Sequence, residues 1–96
     1  MRVLTRLRRP NTLNKHKLLV KLYNSCKNVN FSDFVTLVEA FGFKRIRGEG
    51  SHSIYKNETV TEIINLQNER GQAKPYQIKQ FLSLVEKYNL RLENSE

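Results

Sequence analysis

Apolar residues recur at three- and four-residue intervals in three segments of this chain, the spacing that gathers side chains on one face of a helix. The first segment runs from Thr12 to Cys26, and Asn11 or Thr12 can cap its N-terminus. The last begins at Pro75, a residue type favoured at the first helical position, and continues to about Tyr88. Both segments are therefore predicted to be helices that pack one face on a core.

The second segment has the most regular stripe, with apolar residues at positions i, i+3, i+4 and i+7: Phe34, Leu37, Val38 and Phe41. Ser32 can cap its start, and Gly42 can end it in the left-handed conformation. Two phenylalanines could in principle form a base-stacking pair, but aromatic residues at this spacing are usually core residues. We therefore expect Phe34 and Phe41 in the core.

Between the second and third helices, short stretches alternate in the way that strands do. The predicted strands are Phe43–Arg47, Ser51–Lys56 and Val60–Gln67. Alternation is least regular in the first strand, where Phe43 and Ile46 are three residues apart. In the second strand it places His52, Ile54 and Lys56 on one face, and Ser53 and Tyr55 on the other.

This order of elements predicts an α+β fold: a three-stranded antiparallel sheet with helices on one face (α-β-β-β-α), plus an extra N-terminal helix. Double-stranded-RNA-binding domains have the same layout, and they read RNA by its shape, with basic residues at the start of the last helix. Lys74 occupies that place, next to exposed helix N–H groups that can hold an anion. An ordinary surface lysine would explain it equally well.

Positive charge is concentrated at one end of the chain. The 96 residues have a formal net charge of +8. Residues 1–30 contain eight basic side chains and no acid, whereas residues 31–96 contain nine of each sign. An acid-free arm favours contact with phosphate or an acidic partner, although a solvated tail or a start codon assigned too far upstream would also explain it. We divide the chain into a basic arm that need not be ordered (1–11), a single domain (12–92) and a C-terminal tail (93–96).

Several classes of protein are not expected from the composition. The single cysteine, Cys26, excludes an internal disulfide framework and suits a reducing cytoplasm. No apolar run approaches the roughly 18 residues that cross a bilayer, so we predict no membrane partner. His16 and His52 are too isolated to form a zinc site with Cys26, so we predict no metal and no cofactor.

Gly50-Ser51-His52 is the best candidate for a functional site, because it places a histidine at the start of a predicted strand. A histidine there lies on a rigid element and can face solvent. Histidine is the one residue type whose unperturbed side chain titrates near neutrality, so a histidine can take or give a proton at cellular pH. From the spacing alone, a plain surface histidine is the more common interpretation of His52, and a plain turn glycine explains Gly50 as well as a role in binding does.

Three short motifs follow one another in a specific order: Gly42-Phe43, Gly50-Ser51-His52-Ser53-Ile54 and Lys74-Pro75-Tyr76-Gln77. Because these motifs occur in this order within Phe31–Tyr88, this part of the chain resembles the HicA family of mRNA interferase toxins from prokaryotic type II toxin–antitoxin systems. Many family members have a second histidine where this chain has Ser53. By alternation that residue faces away from His52, so we expect the change to leave the catalytic face intact.

The resemblance implies a histidine-dependent endoribonuclease of double-stranded-RNA-binding fold that cleaves mRNA and arrests growth until a HicB-type antitoxin neutralises it. The catalytic role falls on His52 by this resemblance. Charge developing on phosphate needs a cation or oriented N–H groups nearby. The candidate RNA-binding residues are Arg47, Gly50, Ser51, Lys56 and Lys74.

The sequence leaves part of the mechanism and two other functions open. The acid or base that acts opposite His52 is Tyr55, Lys74, water or absent. A non-catalytic RNA-binding module, in which His52 only contacts RNA, is one alternative function. A protein that binds a partner through the sheet face is another.

Overall fold

The computed structural model of the chain describes residues 14–92, which form three helices and a four-stranded antiparallel sheet. The elements in chain order are α1 (Lys15–Asn24), α2 (Phe31–Ala40), β1 (Lys44–Glu49), β2 (His52–Lys56), β3 (Ile63–Glu69), β4 (Gln72–Ala73) and α3 (Pro75–Lys87). This arrangement confirms the predicted α+β fold, an antiparallel meander between helices with an additional helix at its start.

The ends of the chain are not part of that description. The predicted arm at residues 1–11, the tail at residues 93–96 and the candidate caps Asn11 and Thr12 all lie outside the described residues. The division of the chain into arm, domain and tail therefore stays a prediction.

Asparagine side chains cap the first two helices. The Asn14 Oδ1 accepts the Lys17 N–H at 3.0 Å, and the Asn30 Oδ1 accepts the Asp33 N–H at 3.1 Å. The prediction that Ser32 caps α2 was wrong, since its hydroxyl donates to Asn30 Oδ1 at 2.7 Å. Asn30 takes the cap because it has extended backbone just before the helix, whereas Ser32 already lies in the first turn.

The predicted positions of Gly42 and Pro75 are confirmed. Gly42 follows α2 with a φ of 95°, and Pro75 is the first residue of α3, which ends at Lys87 with Tyr88 as its C-cap. The three helices are 10, 10 and 13 residues long. None of those within residues 14–92 is long and apolar enough to cross a membrane.

The sheet has the order β1-β2-β3-β4, and the two-residue β4 was not predicted. It pairs with the end of β3 across a loop of Arg70 and Gly71, which have φ values of 55° and 85°. A two-residue hairpin loop in which both residues have positive φ is of type I′, which usually contains Asn-Gly or Asp-Gly. Because arginine occupies the first position, the sequence lacks the dipeptide that would predict this turn.

The observed β1 and β3 begin later than predicted. Phe43 and Val60, which were expected to be their first residues, are each 1% exposed and lie in the connections that precede the strands. Their amides bond backbone carbonyls of Val38 and Asn57 instead of a neighbouring strand. The apolar character of these two residues reflects burial in the core and not strand pairing.

A β-bulge at Ile46 explains the irregular alternation of the first strand. Arg45 pairs with Tyr55 and Arg47 pairs with Ile54, so Ile46 has no partner between them. The extra residue shifts the pattern by one position and turns Arg47 to the face opposite Arg45.

The core lies between the sheet and the helices, centred on Phe81 of α3. Its ring makes edge-to-face contacts with Phe34, Phe41 and Phe43 at centroid distances of 5.5, 5.5 and 5.9 Å. Ile64 and Leu66 of β3 are fully buried on the same side. Phe34 and Phe41 are thus core residues, as expected, and neither can stack on a base.

Candidate active site

Helices cover one face of the sheet, and we call the other the open face. Residues directly opposite each other on antiparallel strands point to the same side, so strand register identifies its members. On the three long strands they are Lys44, Arg47, Glu49, His52, Ile54, Lys56, Ile63, Asn65, Gln67 and Glu69. His52, Ile54 and Lys56 therefore share a face, as predicted.

His52 is positioned by a tight hairpin. It pairs with Glu49 across a two-residue loop of Gly50 and Ser51, and Gly50 has a φ of 62°. A Cβ on Gly50 would meet nothing within 4 Å, so the backbone conformation alone accounts for glycine here. The Ser51 carbonyl accepts the Asn68 N–H at 2.9 Å, which fastens the loop to β3.

The exposed His52 ring has a neighbour on β3. His52 Nδ1 lies 3.4 Å from Oδ1 of Asn65, which is diagonal to it because the residue directly opposite is Gln67. The Gln67 N–H in turn donates to Oε1 of Gln77 at 2.9 Å. Gln77 belongs to α3 and is 4% exposed, so a buried side chain holds the strand next to His52.

Arg47 is the candidate cation closest in register to His52. It pairs with Ile54, two residues along the strand from His52, and lies on the open face. Such diagonal neighbours are about 7–8 Å apart between Cα atoms, within reach of a long side chain. The structure therefore brings Arg47 and His52 together.

Lys56 shares the open face but lies at the other end of β2. Four residues separate it from His52, about 13 Å along a strand at roughly 3.3 Å per residue. Its ammonium donates to the Val60 carbonyl at 3.1 Å, and its register partner is another cation, Lys44. A group so placed cannot touch the same phosphate as His52.

Lys74 lies on the far side of β3 from His52. It follows Ala73, which pairs with Asn68, and it is the residue before α3. Its ammonium is 4.0 Å from a Glu69 carboxylate oxygen and 5.9 Å from the Tyr76 ring centroid. Lys74 is therefore at the predicted helix start, but its charge is partly offset by an acid.

The face opposite His52 contains Ser53 and Tyr55. Ser53 pairs with Gly48 and lies 3.4 Å from Nε of Arg45, away from the histidine as predicted. Tyr55 is 4% exposed, and burial, with Glu39 nearby, raises the pKa of its hydroxyl. Tyr55 can therefore be removed from the groups that could act opposite His52.

Two polar neighbours of His52, Glu49 and Asn65, were missed by sequence reasoning. Glu49 could have been found, because a two-residue loop of Gly50 and Ser51 necessarily pairs it with His52. Asn65 could not, because its position depends on the register between β2 and β3 across a connection with no readable turn motif. Within residues 14–92, no group of three or more His, Cys, Asp or Glu side chains could hold a metal ion.

Comparison with known protein families supports the resemblance that the sequence motifs indicated. Residues 31–86 match the family model described as the HicA toxin of bacterial toxin–antitoxin systems. No curated protein and no solved structure matches the chain. The family match includes α2, the whole sheet with His52, and nearly all of α3. Because it spans more than half of the 96 residues, the chain belongs to the HicA toxin family, whose members are toxins paired with an antitoxin.

Proposed function

We propose that this toxin is an endoribonuclease that cleaves mRNA in the cytoplasm, with His52 as its catalytic residue. The observation that carries the proposal is an exposed histidine at the start of a strand, on the open face and in the Gly-Ser-His motif that resembles the catalytic motif of the family. A histidine held there can reach an RNA backbone without any opening of the core.

RNA supplies its own nucleophile. The 2′-oxygen attacks the adjacent phosphorus once a base removes its proton, and the bond to the 5′-oxygen breaks as that oxygen gains a proton. A single histidine can act as this base or, when charged, as this acid, for a typical gain of about 10²–10⁴. Arg47 is the cation that could stabilise negative charge on the phosphorane.

Glu49 is a candidate for the group acting opposite His52, alongside Lys74 and water. It faces His52 across the hairpin, and paired side chains on a sheet are about 5 Å apart at Cβ. A scissile phosphate above this pair would have an imidazole on one side and a carboxylate on the other. A carboxylate and an imidazolium could then take the base and acid roles.

The remaining candidate residues fit a longer RNA path. Gly50 and Ser51 form the loop beside His52, and Ser51 can offer its hydroxyl to a phosphate. Lys56 would contact the strand at a phosphate well away from the cleaved bond, since it lies at the other end of β2. Lys74 would contact RNA on the β4 side, in competition with Glu69.

The variant His52→Ala tests catalysis directly. We expect purified His52→Ala to retain its fold and RNA affinity, to lose cleavage of RNA, and to stop arresting growth when expressed. Cleavage at the rate of the unaltered protein would refute the assignment. Retained binding with no cleavage by either protein would instead favour the non-catalytic RNA-binding module.

A HicB-type antitoxin would silence the toxin by covering the open face. Ile54 and Ile63 lie on that face and can serve as apolar anchors, which contribute more to affinity than surface ion pairs with Arg47 or Lys56. Raising salt should therefore slow association more than it speeds dissociation. Hydrogen exchange of free and bound toxin should show protection of residues 51–56 and of the loop at Lys74. Protection confined to the helices would contradict occlusion.

A further inference from the structure

We propose that Asn65 is a positioning residue for His52, which holds the ring with its proton on Nδ1 and leaves Nε2 to exchange protons with RNA. The inference rests on the proposed function of His52. It concerns a side chain that was not among the candidate site residues selected from the sequence, and it depends on the contact between adjacent strands.

The contact joins the first residue of β2 to an interior residue of β3. Asn65 Oδ1 lies 3.4 Å from His52 Nδ1. Asn65 lies in the interior of β3 between Ile64 and Leu66, which are completely buried, and it pairs with Ile54 of β2. His52, in contrast, begins its strand and follows a two-residue loop. The better-anchored residue can therefore orient the ring.

The chemistry of an amide oxygen then selects one tautomer. A carbonyl oxygen accepts hydrogen bonds, so the imidazole nitrogen facing it must carry the proton. In neutral histidine the other nitrogen, Nε2, is then the acceptor. When His52 becomes charged, Nδ1 keeps its proton and its contact. The same nitrogen, Nε2, thus accepts the proton when histidine acts as a base and donates it when histidine acts as an acid.

Other groups also face His52 and must be separated from Asn65. Glu49 faces it from β1 and Gln67 from β3, and Arg47 and Glu69 are diagonal neighbours. Glu49, Arg47 and Glu69 act on the imidazole through their charge, whereas the uncharged amide of Asn65 chiefly sets which nitrogen is protonated. A measurement of the tautomer distinguishes the two effects.

The test is nitrogen NMR of the full chain labelled with ¹⁵N at histidine, at an alkaline pH where both rings are neutral. His52 should show the tautomer with the proton on Nδ1. Asn65→Ala should move its population toward the form with the proton on Nε2, and Asn65→Asp, which keeps an acceptor, should restore it. His16 on α1 gives an internal reference that should not change. An unchanged His52 tautomer in Asn65→Ala would overturn the proposal.

Cleavage assays provide the second readout. Asn65→Ala should lower kcat about tenfold with little change in KM, a smaller loss than the roughly 10²–10⁴ contributed by an acid–base group itself, because Asn65 only positions that group. Asn65→Asp should recover much of the rate and move the pH profile upward, because a nearby negative charge favours the charged imidazole. Asn24→Ala, an exposed asparagine of α1, is the matched control. If the unaltered protein cleaves no RNA, the proposed function fails, while the NMR result still decides the role of Asn65.

Discussion

The covered and open faces of the sheet are made from alternate residues of the same strands, yet they are constrained differently. On β2, Tyr55 is buried among core residues, whereas His52, at the start of the same strand, is exposed. The covered face must be apolar to bury the core, and the open face is free to hold charge and hydrogen-bonding groups. Stability and activity should therefore respond to different substitutions on neighbouring positions.

The largest effect expected is on stability, from Phe81→Ala. This change removes the ring that contacts three other phenylalanines, and buried Phe→Ala substitutions typically cost about 3–5 kcal/mol. Urea unfolding measures the loss, with Phe81→Leu as a milder variant that keeps the protein folded. His52→Ala is the counterpart on the open face and should change the free energy of unfolding by under about 0.5 kcal/mol. Equal losses for the alanine variants would mean that the two faces are not separable.

Arg47→Ala and Lys74→Ala should weaken RNA binding without affecting the fold. Each phosphate contact contributes about one unit or slightly less to the dependence of log affinity on log salt, and each variant should lose about that much. Arg47→Ala should also slow cleavage, because Arg47 lies nearer His52. Lys79→Ala, an exposed lysine of α3, is the matched control. Salt dependences that stay the same in both variants would remove these residues from the site.

Gly50→Ala should lower both the stability of the fold and the rate of RNA cleavage, each by a small amount. A left-handed backbone costs a residue with a side chain about 1–2 kcal/mol, and the site offers no clash that would add to it. Cleavage should fall as well, because the loop positions His52. Gly71→Ala, at the other hairpin, should cost similar stability and leave cleavage unchanged. Equal cleavage by both variants would show that the geometry of the Gly50 loop is unimportant for activity.

The smallest effect concerns pH and Glu62, far from the open-face residues around His52. Hydrogen bonds from Lys87 at 2.8 Å and Tyr88 at 2.6 Å lower the pKa of Glu62 from 4.5 to about 2. Since the folded pKa is lowered, the stabilisation is present above pH 4.5 and is lost as the pH falls toward 2. Glu62→Gln should reduce the fall in melting temperature across that window and leave cleavage unaltered. An identical fall in both proteins would show that this carboxylate does not contribute.

The sequence predicted the parts of the molecule that depend on local patterns. The stripes at Phe34 and Phe41 identified the core, and Pro75 identified the start of α3. It failed where pairing between strands decides the outcome. The bulge at Ile46 and the short β4 depend on contacts between distant segments.

The candidate site shows the same difference between residues predicted from local patterns and residues whose position depends on strand pairing. His52 and its face followed from alternation and motif, and the neighbouring Arg47 came from its charge. The position of Glu49 opposite His52 could have been predicted from the length of the hairpin loop, but Glu49 was not considered. Asn65 required the register of β2 against β3, which nothing in the intervening residues specifies.

The bulge in β1 has a consequence for how the free toxin behaves in solution. Within residues 14–92, the outer side of β1 has no strand partner, and such edges favour the addition of strands from other molecules. Here the edge is interrupted at Ile46 and bears three cations, Lys44, Arg45 and Arg47. Copies of the toxin released from the antitoxin would therefore repel one another at β1, and the bulge would break the register of any strand added there. Pairing of two toxin molecules through their β1 edges is thus disfavoured while the toxin is without its antitoxin.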